Sequence, residues 1–95
     1  MTPDAAAADA NSFILYTKTG CPWCEDAVDY LREQGYAFEE IDVRRDPEGY
    51  AEMKRLSGQS LAPTLVVGDK VLPDFDVDEL EEFLEENGLR RHRQA

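Results

Sequence analysis

The sequence has few of the side chains that bind metals in proteins. Its 95 residues include one histidine, His92, and two cysteines, Cys21 and Cys24. A structural zinc site needs four ligands, usually two cysteine pairs or one pair with histidines. His92 lies in the charged segment Arg90–Ala95, far along the chain from both cysteines. We therefore expect no metal site built on this cysteine pair.

The sequence also lacks a long apolar run and a surplus of basic residues. A membrane helix needs about 20 mainly apolar residues, and a secretory signal needs a basic start followed by an apolar core; neither pattern is present. The 21 acidic and 10 basic residues give a net charge of −11, which disfavours nucleic acid and anionic membranes as partners. We expect a cytoplasmic monomer.

The two cysteines stand at the point where an apolar strand gives way to a helix. The run Phe13–Tyr16 is typical of a buried strand, and Gly20 marks a turn. Pro22 suits the first position of a helix, where a missing N–H costs nothing. Cys21 then falls at the helix N-cap, beside amide groups that have no partner within the helix.

This position predicts a reactive thiol. The partial positive charge of a helix N-terminus and N–H···S contacts stabilise a thiolate, so Cys21 is the candidate nucleophile. Cys24 lies one helical turn further on and is the candidate resolving thiol. Cys-x-x-Cys beside a strand–helix unit is typical of a redox motif. A permanent structural disulfide is disfavoured because the loop is very small and the sequence resembles an intracellular one.

The remaining pattern predicts alternating strands and helices. The first helix continues to about Gln34, and residues 36–43 form a second strand near a sheet edge, parallel to the first. Asp46-Pro47 begins a second helix with three inward residues, Tyr50, Met53 and Leu56. Residues 64–67 and 70–72 form a hairpin. Asp76 and Glu79 resemble a capping box that opens a last helix with the apolar stripe Val77, Leu80, Phe83 and Leu84.

The chain divides into three parts. Residues 1–11 have no large apolar side chain to bury after the initiator methionine and are expected to form a disordered leader. Residues 12–89 are expected to form one domain. Residues 90–95 are expected to be a charged, solvated tail, whose positive charge follows a helix C-terminus.

The element order β-α-β-α-β-β-α, with Cys21-Pro22-Trp23-Cys24 at the start of the first helix, resembles the glutaredoxin branch of the thioredoxin fold over about residues 12–88. The motif is similar to the Cys-Pro-Tyr-Cys of glutaredoxins and differs from the Cys-Gly-Pro-Cys of thioredoxins. The segment 57–64 is similar to the family's Thr-Val-Pro loop, with Ala62 in place of valine. The resemblance implies an α/β fold with a four-stranded mixed sheet flanked by three helices.

The resemblance also implies roles for residues around the cysteines. Pro63 would be cis, and the backbone of Ala62 would pair with an extended peptide or with glutathione. Trp23 would form an apolar wall beside the sulfur, and Lys18 would bind a substrate carboxylate and stabilise the thiolate. The alternatives are that Pro63 is an ordinary proline at an edge strand, that Trp23 is a core residue and that Lys18 is an exposed lysine at a strand end.

One departure from the family pattern concerns glutathione. Glutaredoxins usually have Gly-Gly before the last helix, whose N-terminus, at Asp76 in this sequence, would hold the γ-glutamyl carboxylate. This chain has Pro73-Asp74 instead. Proline offers no amide donor and an added aspartate repels a carboxylate. The reductant therefore stays open between glutathione and thioredoxin reductase.

The predicted function is that of a glutaredoxin-like thiol–disulfide oxidoreductase in cell redox homeostasis and electron transport. It would reduce disulfide-containing proteins or glutathione mixed disulfides through Cys21 and Cys24, without a bound cofactor. Three alternatives remain: a redoxin reduced by thioredoxin reductase, a scaffold in which two protomers and glutathione hold a [2Fe–2S] cluster, and a redox-inert binding module.

Overall fold

A computed structural model describes residues 12–89, and the predicted leader and tail lie outside this range. The element order confirms the prediction. The strands are β1 (Phe13–Thr17), β2 (Phe38–Asp42), β3 (Thr64–Val67) and β4 (Lys70–Pro73), and the helices are α1 (Pro22–Glu33), α2 (Pro47–Ser57) and α3 (Val77–Glu86). Strand β2 is shorter than the predicted 36–43, and β4 extends one residue further.

The four strands form one mixed sheet in the order β2-β1-β3-β4. Strand β1 is central and pairs parallel with β2, as predicted, and antiparallel with β3; β4 pairs antiparallel with β3 and forms the second edge. The parallel pair is joined through α1, since parallel neighbours need a crossover connection. The sheet with its three helices confirms the architecture that the resemblance implied.

The alternation of side chains along β1 separates two apolar clusters. Phe13, Leu15 and Thr17 point to one face, and Ile14 and Tyr16 point to the other. The first face packs against α1 and α3 in the larger cluster, whose buried members include Ala27, Val28, Leu31, Phe75, Leu80 and Leu84. The second face packs against α2 in a smaller cluster around Tyr16, Met53 and Val66.

The prediction that Leu56 is a core residue of α2 is wrong. Met53 is buried and Tyr50 half-buried, but Leu56 is exposed. The reason is helix geometry: six residues advance a helix by about 600°, which leaves Leu56 about 120° around the axis from Tyr50. A spacing of three residues repeated twice therefore rotates out of the contact with the sheet.

Helices α2 and α3 begin at the predicted caps. An Asp46 carboxylate oxygen accepts from the Gly49 N–H at 2.9 Å, and Pro47 occupies the first turn. At α3, Asp76 accepts from the Glu79 N–H at 2.9 Å, and Glu79 accepts from the Asp76 N–H at 3.1 Å. The capping box is confirmed, and these bonds satisfy amide donors that a helix start leaves without partners.

Gly49 allows α2 to lie close to β2. A Cβ at this buried position would stand 2.5 Å from Ile41 Cγ2. We expect Gly49→Ala to lower the free energy of unfolding by about 1–3 kcal/mol through overpacking, although alanine is favoured over glycine in a helix by about 1 kcal/mol. Urea denaturation measures the change.

The control is the same substitution in an Ile41→Ala background, which removes the methyl group that the new Cβ would meet. In this background the cost of Gly49→Ala is expected to shrink or to change sign. An equal cost in both backgrounds would contradict the steric explanation.

Candidate active site

One end of the sheet brings the predicted site residues together. Tyr16 in β1 pairs with Thr64 in β3, and Thr64 pairs with Pro73 in β4. The segment after β1, the segment before β3 and the segment after β4 therefore meet at the same end of the sheet. These segments carry the cysteine motif, the Ala62-Pro63 bond and Asp74, respectively.

The two cysteines occupy the positions that the sequence predicted. Cys21 is the N-cap of α1, and its Sγ accepts a hydrogen bond from the Cys24 N–H at 3.1 Å. The two residues are joined by a disulfide. Cys21 is 8% exposed and Cys24 only 2%, so the more accessible sulfur is also the one that a backbone amide contacts. After reduction, the same amide and the helix N-terminus favour a thiolate at Cys21.

An exposed apolar surface lies around the cysteines. Trp23 is 55% exposed, which contradicts the alternative of a core tryptophan. Leu61, two residues before Pro63 on the neighbouring loop, is 49% exposed. Pro63 is buried and its bond to Ala62 is cis, as the resemblance implied. Exposed aromatic and aliphatic groups beside a reactive sulfur can contact the chain that carries a substrate disulfide.

The loop before Pro63 is fixed by a glutamine whose role the sequence did not reveal. Gln59 Nε2, with two hydrogens to donate, lies within hydrogen-bond distance of Ser57 Oγ, the Leu61 carbonyl and Thr64 Oγ1, at 2.9, 3.1 and 3.1 Å. Its Oε1 accepts from the Leu61 N–H at 2.7 Å. One amide side chain therefore ties the end of α2 to the start of β3. No local pattern distinguishes such a glutamine from an exposed one.

Lys18 borders a polar cavity of about 350 Å³ on the α1 and β2 side of the motif, and Cys24 forms part of the same wall. Lys18 and Cys24 therefore line the same cavity. Lys18 is half-buried. Four carboxylates share the lining, namely Glu25, Asp29, Glu40 and Asp42.

Two threonine–carboxylate hydrogen bonds join β1 and the following turn to β2. Thr17 Oγ1 donates to Glu40 Oε2 at 2.9 Å, and Thr19 Oγ1 donates to Asp42 Oδ2 at 2.5 Å. The other oxygen of Asp42 accepts from the Arg44 N–H at 2.9 Å. The partners are 23 residues apart in the sequence, so only the parallel register of the two strands brings them together. Sequence reasoning missed both pairs for this reason.

These contacts change the acidity of Asp42. The Thr19 hydroxyl, followed by the Arg44 amide, lowers the pKa of the Asp42 carboxyl below its ordinary value. The hydrogen bonds favour the charged form more than partial burial disfavours it. Asp42 therefore stays ionised to lower pH than a free aspartate.

The segment that departs from the family pattern has an unusual backbone. Asp74 has φ of +49°, and it is the one positive-φ residue other than glycine within residues 12–89. Aspartate tolerates this region better than most residues. Asp76 uses both its carboxylate and its N–H in the capping box. The capping box therefore explains an aspartate at this position without a bound ligand. Pro73 and Asp74 are exposed.

The part of the chain that the structure describes contains no group of three histidine, cysteine or acidic side chains arranged to hold a metal ion. Across these same residues, no helix combines the length and apolar content needed to cross a membrane.

Comparison with known proteins points to one family. The sequence model of the glutaredoxin family matches residues 13–72. A glutaredoxin of Neisseria meningitidis serogroup A is 36% identical over 76 residues, which cover 79% of this chain and 87% of that protein. An uncharacterized glutaredoxin-like 8.6 kDa protein from the rubredoxin operon of Clostridium pasteurianum is 28% identical over 71 residues, covering 75% of this chain and 95% of that one.

A solved structure shows the same fold. NrdH-redoxin from Escherichia coli, a glutaredoxin-like protein with a thioredoxin-like activity profile, is similar with a TM-score of 0.63 and 30% identity. The match covers 75% of this chain and 92% of that chain. The predicted thioredoxin fold is confirmed.

The hydrogen bond between Thr19 and Asp42 predicts a pH effect on stability. A carboxyl with a lowered pKa in the folded state contributes stability above its ordinary pKa, and this contribution is lost as the pH falls through the lowered pKa. We expect Thr19→Val to raise the pKa of Asp42 and to reduce the stability lost on acidification. NMR titration of the Asp42 carboxyl and urea denaturation across the acidic range measure both effects.

Thr19→Ser is the control because it keeps the hydroxyl donor. It should leave the pKa of Asp42 close to that of the unmodified protein. If serine and valine raise the pKa equally, the hydrogen bond is not its cause.

Proposed function

The chain belongs to the glutaredoxin family and is a thiol–disulfide oxidoreductase, and we propose that it reduces protein disulfides and glutathione mixed disulfides through Cys21 as nucleophile and Cys24 as resolving thiol. The single observation that carries these roles is the hydrogen bond from the Cys24 N–H to Cys21 Sγ at the N-cap of α1. The bond stabilises negative charge on the Cys21 sulfur, and Cys24 is the more deeply buried of the two residues.

The reaction proceeds by thiol–disulfide exchange. The Cys21 thiolate attacks one sulfur of the substrate disulfide, which breaks that bond, releases one substrate thiol and leaves a mixed disulfide on Cys21. Cys24 then attacks Cys21 Sγ, so the Cys21–Cys24 disulfide forms and the second substrate thiol leaves. The substrate gains two electrons from the cysteine pair. A second glutathione can replace Cys24 in the resolving step when the mixed disulfide carries glutathione.

Trp23 and Leu61 supply the apolar contact for the chain beside the substrate disulfide. Both are about half exposed; Trp23 lies in the first turn of α1 and Leu61 in the loop before Pro63. A protein substrate that covers them removes apolar surface from water, which contributes about 25 cal/mol per Å². The backbone of Ala62 lies on the same side and is available to an extended peptide.

The reductant in this proposal is glutathione, because the Cys-Pro-Trp-Cys motif is similar to that of glutaredoxins; the second candidate is thioredoxin reductase. Exposed Asp74, and Pro73 without an amide donor, weaken the position that would hold a glutathione carboxylate. The thioredoxin-like activity profile of the similar E. coli NrdH-redoxin supports the second candidate. In either case we infer a cytoplasmic site of action, because the oxidised pair must be reduced again after each turnover.

The two cysteines predict different variant phenotypes. Cys21→Ser should lower turnover of a glutathione mixed disulfide by at least about 10³-fold, since it removes the nucleophile. Cys24→Ser should keep activity on this substrate, because glutathione can resolve the mixed disulfide, but should lose activity on protein disulfides. The measurement is NADPH oxidation coupled to glutathione reductase.

Each variant serves as the control for the other, because both exchange sulfur for oxygen in the same motif. Mass spectrometry should find the trapped mixed disulfide in Cys24→Ser and not in Cys21→Ser. Equal loss in both variants would refute the assigned roles, and full activity in both would refute the role of the motif.

The charge of Asp74 predicts weak binding of glutathione. Asp74→Asn removes the charge while keeping a side chain that tolerates positive φ. We expect the KM for glutathione to fall about three- to tenfold, because a like charge beside a carboxylate costs on the order of 1 kcal/mol. The assay compares glutathione with thioredoxin reductase as the electron source.

Glu81→Gln, an exposed carboxylate in α3, is the matched control for loss of one negative charge. It should leave the KM unchanged. If the unmodified protein and Asp74→Asn both turn over with thioredoxin reductase and not with glutathione, the reductant is thioredoxin reductase.

A further inference from the structure

The resolving step requires Cys24 to lose a proton. A thiolate is the attacking species in disulfide exchange, and Cys24 is only 2% exposed. Burial disfavours the charged form of a thiol. Bulk water reaches this sulfur poorly from the substrate side, so the proton needs another path and an acceptor.

The cavity behind the motif provides that path. Cys24 forms part of its wall, and its charged lining consists of Lys18, Glu25, Asp29, Arg32, Glu40 and Asp42. A polar cavity of about 350 Å³ is large enough to hold several water molecules. Water in this space can carry a proton from the Cys24 thiol to a carboxylate.

The four carboxylates are not equivalent as acceptors. Asp42 already accepts from Thr19 and from the Arg44 amide, and these bonds lower its pKa, which makes it a weak acceptor. Glu25, Asp29 and Glu40 are all exposed, and no side-chain hydrogen bond within residues 12–89 fixes Glu25 or Asp29. The remaining carboxylate is Glu40.

Glu40 is held in place by a buried donor. The Thr17 side chain belongs to a residue that is 3% exposed, and its hydroxyl donates to Glu40 Oε2 at 2.9 Å. This leaves Oε1 available to water in the cavity. Alternation along β2 puts Glu40 on the same face of the sheet as Phe38, which packs in the cluster with α1. Glu40 therefore faces the helix that carries Cys24.

We propose that Glu40, positioned by Thr17, accepts the proton of Cys24 through cavity water during the resolving step. The Cys24 S–H bond breaks, its proton passes by way of water to the Glu40 carboxylate, and the resulting thiolate attacks Cys21 Sγ. The Cys21–Cys24 bond forms as the bond from Cys21 to the substrate sulfur breaks. The departing substrate thiolate takes up a proton from the solvent, and Glu40 returns its proton to the cavity water.

This inference rests on the proposed roles of Cys21 and Cys24, and the test separates the two. Reduced protein is mixed with one equivalent of dipyridyl disulfide, a neutral substrate, and thione release is followed by stopped-flow absorbance. The first phase reports attack by Cys21, and the second reports resolution by Cys24. The series is repeated between about pH 5 and pH 9, a range that brackets the ordinary thiol pKa.

Glu40→Gln should slow the second phase by about 10²-fold near neutral pH, the lower end of what proton transfer contributes. The pH profile of this phase should move to higher pH, where hydroxide replaces the missing acceptor. The first phase should stay within about twofold of the unmodified protein. Thr17→Val should slow the second phase in the same direction, and Thr17→Ser should restore it, because serine keeps the hydroxyl.

Glu39→Gln is the matched control, since it removes the same charge from the neighbouring position on the opposite face of β2. It should change neither phase. A second phase in Glu40→Gln equal to that of the unmodified protein at every pH would overturn the inference. Equal slowing by Glu39→Gln, or equal slowing of both phases by Glu40→Gln, would overturn it too. A first phase that survives in Cys21→Ser would instead refute the assignment of the nucleophile.

Discussion

The pairing of the central strand β1 with both of its neighbours is the constraint on which the active site depends. Parallel pairing with β2 sets Thr17 opposite Asp42, and antiparallel pairing with β3 sets Tyr16 opposite Thr64. A shift of one residue in either register would send every side chain to the other face. The cysteine motif, the loop before Pro63 and the cavity therefore lie at the same end of β1, because the pairing of β1 with its neighbours positions all three.

In the mechanism that we propose, two tasks fall on the two sides of the motif. Trp23, Leu61 and the backbone before Pro63 lie where a substrate chain can approach Cys21. Lys18 and the threonine–carboxylate pairs lie on the side of α1 and β2, around the cavity that reaches Cys24. Attack by Cys21 on a substrate needs open and apolar surroundings. Proton loss from Cys24 needs polar ones.

The chain carries a net charge of −11. Acidic residues outnumber basic ones two to one, and carboxylates stand both around the cavity and at Asp74. Asp74 also holds a backbone conformation that glycine adopts with less strain. A residue in such a conformation at the same end of the sheet as the cysteine motif points to a functional constraint on that segment.

The sequence alone determined the element order, the caps at Asp46 and Asp76, and the placement of Cys21 at a helix start. These features depend on residues within one turn or one strand of each other, so the spacing of neighbouring residues in the sequence predicts them. The prediction for Leu56 was wrong because a spacing of three residues repeated twice rotates the side chain about 120° around the helix axis from Tyr50. The tertiary structure alone decided the Thr17–Glu40 and Thr19–Asp42 pairs, the Gln59 network and the cavity behind Cys24. Their partners come from separate strands and loops, and only the strand register and helix packing determine which of them meet.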